Sequence, residues 1–372
     1  MVPAACQVGA IWNRIMSVLE KITPATAAPV ASAVPDDMAL LRAAVDLTRD
    51  ISAARPDRYW PDMLLSAALG YAALAGAILA PSLAFALACG ALAVLTLYRA
   101  LLFIHELTHI HRTALPGFRT AWNVLVGIPM LTPSFMYEGV HTLHHARTRY
   151  GTAEDPEYLP LALMKPWSLP VFILIAALLP IGLLIRSALL VPLGAVIPPL
   201  RQLVWARASS LSINPDFRRR PVDGDFARMV RWQEAGAALW AWTLLASTQW
   251  LGWRPLLIAL AVVSATAVFN QIRTLVAHLW QNDGEPMTVT AQYLDSVNVP
   301  PPALLSGLWA PVGLRYHALH HLLPSMPYHS LGEAHRRLLA HLGSDSTYAQ
   351  ANYPGLVPLV GRIVRSTMLR GR

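Results

Sequence analysis

The chain has 372 residues, of which 55% are hydrophobic and only 13% are charged. Because soluble domains carry about 25% charged residues, this composition excludes the soluble, disordered and collagen-like classes and predicts an integral membrane protein. The net charge of +8 fits basic cytoplasmic loops beside anionic lipid better than nucleic-acid binding, and two cysteines are too few for an iron–sulfur centre.

The first strong pattern in the chain is a pair of apolar stretches. Residues 1–35 lack a regular polar pattern, and we expect them to form a flexible tail, whereas residues 36–50 have an amphipathic helical pattern. The apolar stretches 62–80 and 82–104 follow, and Pro81 and Ser82 lie at the break between them. Each is long enough to cross about 30 Å of hydrocarbon, so together they predict a transmembrane hairpin.

Two further apolar segments contain residues that break helices or oppose insertion. Residues 121–136 include Pro129 and Pro133, and residues 168–200 include Pro180 and Arg186. An arginine at the bilayer centre costs about 2.5–3.5 kcal/mol on the mildest scale. We therefore expect both segments to be interfacial or re-entrant.

A second hairpin is predicted from residues 235–251 and 255–271. Two hairpins put the chain ends and the main basic segments on one side, which is cytoplasmic by the positive-inside rule. The predicted fold is all-α and integral to the membrane, with four transmembrane helices in two hairpins, interfacial helices and a cytoplasmic helical cap. We expect one domain over residues 36–345 and a tail over 346–372. The Ala- and Arg-rich composition is typical of bacteria, which predicts the bacterial inner membrane.

Eight of the thirteen histidines form three clusters on the predicted cytoplasmic side, and His278 lies about two turns beyond the last span. Positions i, i+3 and i+4 share a helix face, so each cluster presents its imidazoles together. Nine imidazoles exceed the three or four that one zinc takes, and they suit two metal ions. Iron is the imidazole-binding metal that also activates dioxygen. The clusters are His105 and His109; His141, His144 and His145; and His317, His320 and His321.

These clusters resemble the histidine boxes of the membrane fatty acid desaturase–hydroxylase superfamily. The third box continues into Leu322–His329, which is similar to the segment that follows it in many desaturases. The resemblance spans about residues 60–339 and implies a mushroom-like fold in which all nine histidines hold two irons. It also implies O2 as co-substrate, a lipid or acyl-chain substrate, and two electrons from an external ferredoxin, rubredoxin or cytochrome b5 with its reductase.

The resemblance leaves several activities open. The main expectation is an acyl-lipid desaturase that forms a C=C bond, which the Pro-x-x-Pro-Tyr stretch after the third box favours. The alternative is an acyl or alkane hydroxylase, or a carotenoid hydroxylase or ketolase, which Glu106 in the first box favours. That box also matches the HExxH zinc motif, so an intramembrane zinc metalloprotease is a distant alternative. A membrane scaffold or metal transporter is a further alternative. It would need a polar path through the spans, and the spans contain almost no polar residues.

Charged residues outside the boxes are candidates for supporting roles. Four acids are close in sequence to the first two boxes and are candidates to orient ligand imidazoles, although solvated or capping roles explain them equally well. An acidic electron donor could dock on the basic run 218–220, which is also typical of a solvated positive-inside loop. The four acids are Glu106, Glu138, Asp155 and Glu157.

Overall fold

A computed structural model describes residues 34–303 and 305–368 of the chain. Within these residues the protein is helical, with isolated bridges but no β-strand, which confirms the all-α class. Almost all of the predicted N-terminal tail lies outside the described residues. The α-helices are α1 Met38–Asp46, α2 Pro56–Leu79, α3 Leu83–Leu101, α4 Phe103–His109, α5 Phe118–Trp122, α6 His141–His144, α7 Ser168–Ile185, α8 Val191–Val196, α9 Pro198–Ala208, α10 Gly224–Leu251, α11 Arg254–Leu275, α12 Val289–Asp295, α13 Ser306–Trp309, α14 His317–Leu322, α15 Leu331–Leu342, α16 Thr347–Gln350 and α17 Leu356–Met368.

Four helical stretches of the described chain are long and apolar enough to cross a membrane, which supports the integral membrane class. They are Pro56–Leu79, Leu83–His109, Ser168–Val196 and Arg254–Leu275. The first two form the predicted first hairpin. Their axes approach closely at Gly70, where an added Cβ would lie 2.6 Å from the Leu97 side chain, so a larger residue there would push the two helices apart.

The stretch Ser168–Val196 differs from the sequence-based expectation. Pro180 lies inside α7, and the helix continues through a π-helical turn, Arg186–Leu190, into α8. The cost expected for a lone Arg186 does not apply, because its guanidinium bonds to the Glu234 carboxylate at 2.6 Å. Proline and arginine therefore do not break this helix into separate pieces. By length and composition it is a candidate span, and its interfacial or re-entrant placement stays a prediction.

Two other predicted membrane segments keep a less regular form. Residues 121–136 consist of the end of α5, a π-helical turn and a 3-10 turn, and they are not among the candidate spans. Residues 235–251 form the second half of α10, whose Glu, Gln and Trp residues make it less apolar than the candidate spans. That this half of α10 spans the bilayer stays a prediction.

The predicted C-terminal tail is part of the folded domain. Leu359 and Ile363 of α17 are buried, and the Thr367 hydroxyl donates to the carbonyl of Leu161 at 2.8 Å. The backbone of Tyr353 donates to the carbonyl of Asn298 at 2.8 Å. Helix α17, which lies beyond the predicted boundary at residue 345, thus packs on the cap, because its apolar positions recur at helical spacing.

The Arg186–Glu234 pair gives a test of how α7 is stabilised. Both side chains are at most 5% exposed, so Glu234→Gln should leave an uncompensated buried charge and destabilise the protein by about 3–5 kcal/mol. The double variant Arg186→Met with Glu234→Met should be closer to wild type. Thermal unfolding in detergent measures this, and equal losses in the single and double variants would contradict it.

Candidate metal centre

The first histidine box is carried by a membrane helix. Helix α4 directly continues α3, so His105 and His109 are placed on one helix face at the end of the span. The indole of Trp122 donates to the carbonyl of Ala100 at 2.8 Å and so fixes α5 against the end of α3. The position of this box therefore follows from the membrane anchoring of α3.

The second box forms a one-turn helix. His141, His144 and His145 lie on α6 and its C-terminal cap. Gly139, with φ of 72°, makes the turn that precedes this helix, a conformation that other residues adopt only at a cost. The turn directs the box towards α4.

The third box and His278 are fixed by a small set of backbone contacts. An isolated bridge pairs His278 with Ser296, and another pairs Asn298 with Tyr316, the residue before the third box. The Asn298 side-chain oxygen also accepts the backbone N–H of Leu319 at 3.0 Å. Through Ser296 and Asn298, one short segment positions both α14 and His278.

The nine predicted histidines meet in two groups. In each group every residue offers one nitrogen, and these nitrogens lie within 4.8 Å of one another. The second and third boxes each divide between the two groups, and His145 and His321 stack between them with ring centroids 4.3 Å apart. The first group is His105, His109, His141, His145 and His320, and the second is His144, His278, His317 and His321.

The nitrogen spacing fits metal ions. The His141 and His145 Nε2 atoms are 3.0 Å apart, and the His278 and His317 Nε2 atoms are 3.1 Å apart. Two imidazole nitrogens that bind one ion at about 2.1 Å and at a right angle are about 3.0 Å apart. Both ring nitrogens of His105 are buried and lack a hydrogen-bond partner among the described residues, as expected where one of them is a ligand atom.

Three of the histidines are oriented by acidic or phenolic groups outside the two groups. The Nδ1 of His144 is 2.9 Å from Asp155, and the Nδ1 of His141 is 2.9 Å from Glu157. The Nδ1 of His278 is 2.8 Å from the hydroxyl of Tyr150. Donation from Nδ1 leaves the Nε2 lone pair free for a metal and fixes each ring.

The electrostatics of the site follow from burial. Burial, together with the neighbouring imidazoles, lowers the pKa of His145 and His317 well below the usual range, so these rings are neutral and able to bind a cation. Burial also opposes charge on His144, but the Asp155 carboxylate outweighs it and raises the pKa of that ring. Burial raises the pKa of Glu157 to about 7.

The structure separates the four acids named from the sequence. Asp155 and Glu157 contact ligand-group histidines, whereas Glu138 pairs with Arg119 at 2.5 Å. Glu106 accepts hydrogen bonds from the Tyr59 hydroxyl and the Tyr328 backbone N–H. Because Glu106 is occupied in this way and its box joins a five-histidine group, the geometry does not favour the zinc protease alternative.

Sequence reasoning missed several supporting residues. The Tyr150 hydroxyl links His278 to Asp295, and the Tyr158 hydroxyl donates to the same carboxylate at 3.0 Å. These residues have no motif in common and come from separate segments. Asp295 is distant in sequence from every histidine box, so nothing in the sequence indicates that its carboxylate supports the site.

A cavity of about 240 Å³ reaches the metal centre from the side of the candidate spans. It lies between α7 and α11 and ends at histidines of both groups, including His105 and His278. Ile175 and Leu179 of α7 line it and are also 53% and 36% exposed, so it reaches the outer face of that helix. An apolar chain could enter there.

Metal content tests the two groups. We expect wild-type protein to bind two metal ions, and His320→Ala and His278→Ala each to lose about one, because each removes a ligand from a different group. The double variant should lose both. Elemental analysis of the purified protein measures this, with His341→Ala as control, since His341 is exposed and outside both groups. Unchanged stoichiometry in both single variants would contradict the assignment.

Comparisons with known proteins agree with the geometry. The chain matches the family model described as fatty acid desaturase over residues 80–351. It is 49% identical over 332 residues to a Caulobacter vibrioides (strain NA1000 / CB15N) protein named ceramide hydroxylase, a match that covers 88% of this chain and 94% of the other. The resemblance seen in the histidine boxes is thus confirmed. The chain belongs to the fatty acid desaturase family, in the superfamily of membrane oxidoreductases that contains both desaturases and hydroxylases.

Proposed function

We propose that the protein is an O2-dependent diiron hydroxylase that acts on a ceramide or a closely related amide-linked lipid. The observation that carries this proposal is the 49% identity to a protein named ceramide hydroxylase, over nearly the full length of both chains. The acyl-lipid desaturase that we expected first is the less favoured member of the same superfamily. Glu106 in the first box favoured the hydroxylase alternative, as the relative now does.

The proposed reaction replaces one C–H bond of the lipid by C–OH. One oxygen atom of O2 enters the lipid, the other leaves as water, and two external electrons and two protons complete the balance. Two irons bound by the nine histidines would supply the oxidising power, which no amino-acid side chain has. The donor set fits this role because its members are imidazoles, of which His145 and His317 are held neutral by burial, and the cavity leaves space beside them.

The protein's own residues hold the lipid and fix the ligands. The apolar walls of the cavity between α7 and α11 exclude water from the lipid chain. Tyr137 lines the same cavity, and its hydroxyl donates to Glu157 at 2.7 Å while Glu157 holds His141. This bridge keeps the ring of His141 in one orientation beside the substrate, so ligand geometry and substrate position are coupled.

The proposed topology places the centre on the cytoplasmic side of a bacterial inner membrane. All nine histidines lie near or beyond the same ends of the candidate spans, as α4 continues α3 and His278 follows α11. This is the side to which the positive-inside rule assigns the basic segments. An electron carrier in the cytoplasm could approach the centre there.

The electron donor would dock in a basic cleft. A cleft of about 1060 Å³ contains His109 and is lined by six arginines and three acidic residues. Arg112, Arg218 and Arg220 are exposed and form no ion pair within the described residues. Arg219 is buried and donates to the carbonyls of Ser209 and Glu138, so its role is structural. The exposed charges favour an acidic carrier.

Lipid analysis tests the reaction class. Expression in a ceramide-containing host should produce ceramide with one added oxygen, and this product should be absent with His144→Ala, whose ring belongs to the second group. Liquid chromatography with mass spectrometry measures both. A lipid that has instead lost two hydrogens would show that desaturation is the activity.

Charge reversal tests the docking cleft. Arg218→Glu with Arg220→Glu should raise the KM for an acidic protein donor by about tenfold and weaken the dependence of the rate on salt, because close charges steer association. Turnover with a small chemical reductant should not change. Arg254→Glu, an exposed residue at the far end of α11, is the matched control. An unchanged donor KM would leave these arginines as a solvated loop.

A further inference from the structure

One wall of the cavity, on α11, changes from apolar to polar as it approaches the metal centre. On α11 the lining residues Val263 and Ala267 come first, followed by Asn270 and Arg273 nearer His278. From residue 263 to residue 275, where α11 ends, the helix covers about 18 Å. The opposite wall, on α7, is apolar. A lipid in this cavity would therefore place its hydrocarbon between α7 and α11 and its polar atoms close to the histidines.

Arg273 has a free donor in this polar part. Its guanidinium lines the cavity, and one terminal nitrogen donates to the Asn270 side-chain oxygen at 3.2 Å. Its Nε is buried and has no hydrogen-bond partner among the described residues, and the side chain forms no ion pair with them. A guanidinium that is only partly satisfied beside an apolar cavity is unfavourable. A ligand oxygen in the cavity would give its terminal nitrogens a further acceptor.

We propose that Arg273, held by Asn270, is the subsite that binds the head-group oxygens of the lipid and so directs oxidation to a carbon within a few bonds of the head group. This inference rests on the proposed function and adds to it the position of the oxidised carbon in the lipid. An enzyme that oxidises the middle of a chain needs apolar walls on both sides of the metal centre, whereas the α11 wall of this cavity becomes polar as it approaches His278. Amide and hydroxyl oxygens are acceptors of the required kind.

A free fatty acid would offer the same chemistry through its carboxylate, to which arginine binds with two parallel hydrogen bonds. The two sources differ in charge. An amide lipid brings a neutral acceptor, and the guanidinium then keeps its charge unpaired, whereas a carboxylate would neutralise it. The head group of the proposed substrate is neutral, so the proposal commits to the amide lipid, and the fatty acid is an arm of the test.

Equilibrium binding to the purified full-length protein, without reductant, tests the subsite independently of turnover. The probes are a ceramide, a free fatty acid and an alkane of matched chain length, which has no oxygen. Arg273→Leu should weaken ceramide binding by about ten- to a hundredfold, the usual effect of losing a hydrogen bond to a charged group, and leave alkane binding unchanged. The ceramide affinity of Arg273→Lys should lie between those of wild type and Arg273→Leu. The affinity of Arg254→Leu, a change at the exposed far end of α11, should match that of wild type.

The outcomes separate this inference from the proposed function. Equal losses for ceramide and alkane would show a structural role for Arg273 and overturn the subsite, and a loss confined to the fatty acid would overturn its assignment to an amide lipid. If Arg273→Leu fails to fold, the affinities of the wild-type protein for ceramide and for alkane are compared instead. Equal affinities would also overturn the subsite. Absence of ceramide hydroxylation by wild-type protein would instead refute the proposed function.

Product position gives a second reading of the subsite. Tandem mass spectrometry should locate the new hydroxyl of the wild-type product within a few carbons of the amide. Arg273→Leu should scatter the hydroxyl along the chain, because the lipid then slides in the cavity, and Arg273→Lys should partly restore the position. A mid-chain hydroxyl in the wild-type product would contradict the proposal.

Discussion

The constraint on which the structure depends is the convergence of nine imidazole rings at the end of a membrane bundle. Where Nδ1 donates to a fixed acceptor, as in His141 and His278, the lone pair of Nε2 faces other imidazoles about 3 Å away. Lone pairs at this distance repel one another unless a proton or a metal ion lies between them. A metal ion would relieve this repulsion in each group, and the surrounding protein holds the rings in the positions that such an ion needs.

Much of the fold serves this purpose. The first box is rigid because it continues a membrane helix, and the third box is rigid because Asn298 and Ser296 link it to His278. Carboxylates outside the rings complete the support, since Asp155 holds His144 and Glu157 holds His141. The C-terminal segment contributes as well, because its backbone pairs with Asn298. Elements far apart in sequence thus meet at the same few histidines.

The sequence predicted the parts of this arrangement that depend on local spacing. Histidines at i, i+3 and i+4 share a helix face wherever they occur, so the three boxes and the membrane class could be read directly, and His278 was identified by the family resemblance. The division of boxes between two groups could not be predicted, because it depends on how α6 and α14 meet in space. The same holds for Arg186, whose burial was judged too costly because its partner, Glu234, is forty-eight residues away. The helix α17 was missed because its apolar face is short.

The geometry also separates the cavity proposed for the lipid from the cleft proposed for the electron donor. The basic cleft contains His109 of the first group. The cavity between α7 and α11 reaches both groups, through His105 and His278. A protein donor in the cleft would therefore not compete with a lipid between α7 and α11. Since both a desaturase and a hydroxylase need the same electrons and the same metals, these shared parts do not determine the product. The position of oxidation depends on which carbon the cavity presents to the metal centre, and we propose that the polar residues at the inner end of α11 select it.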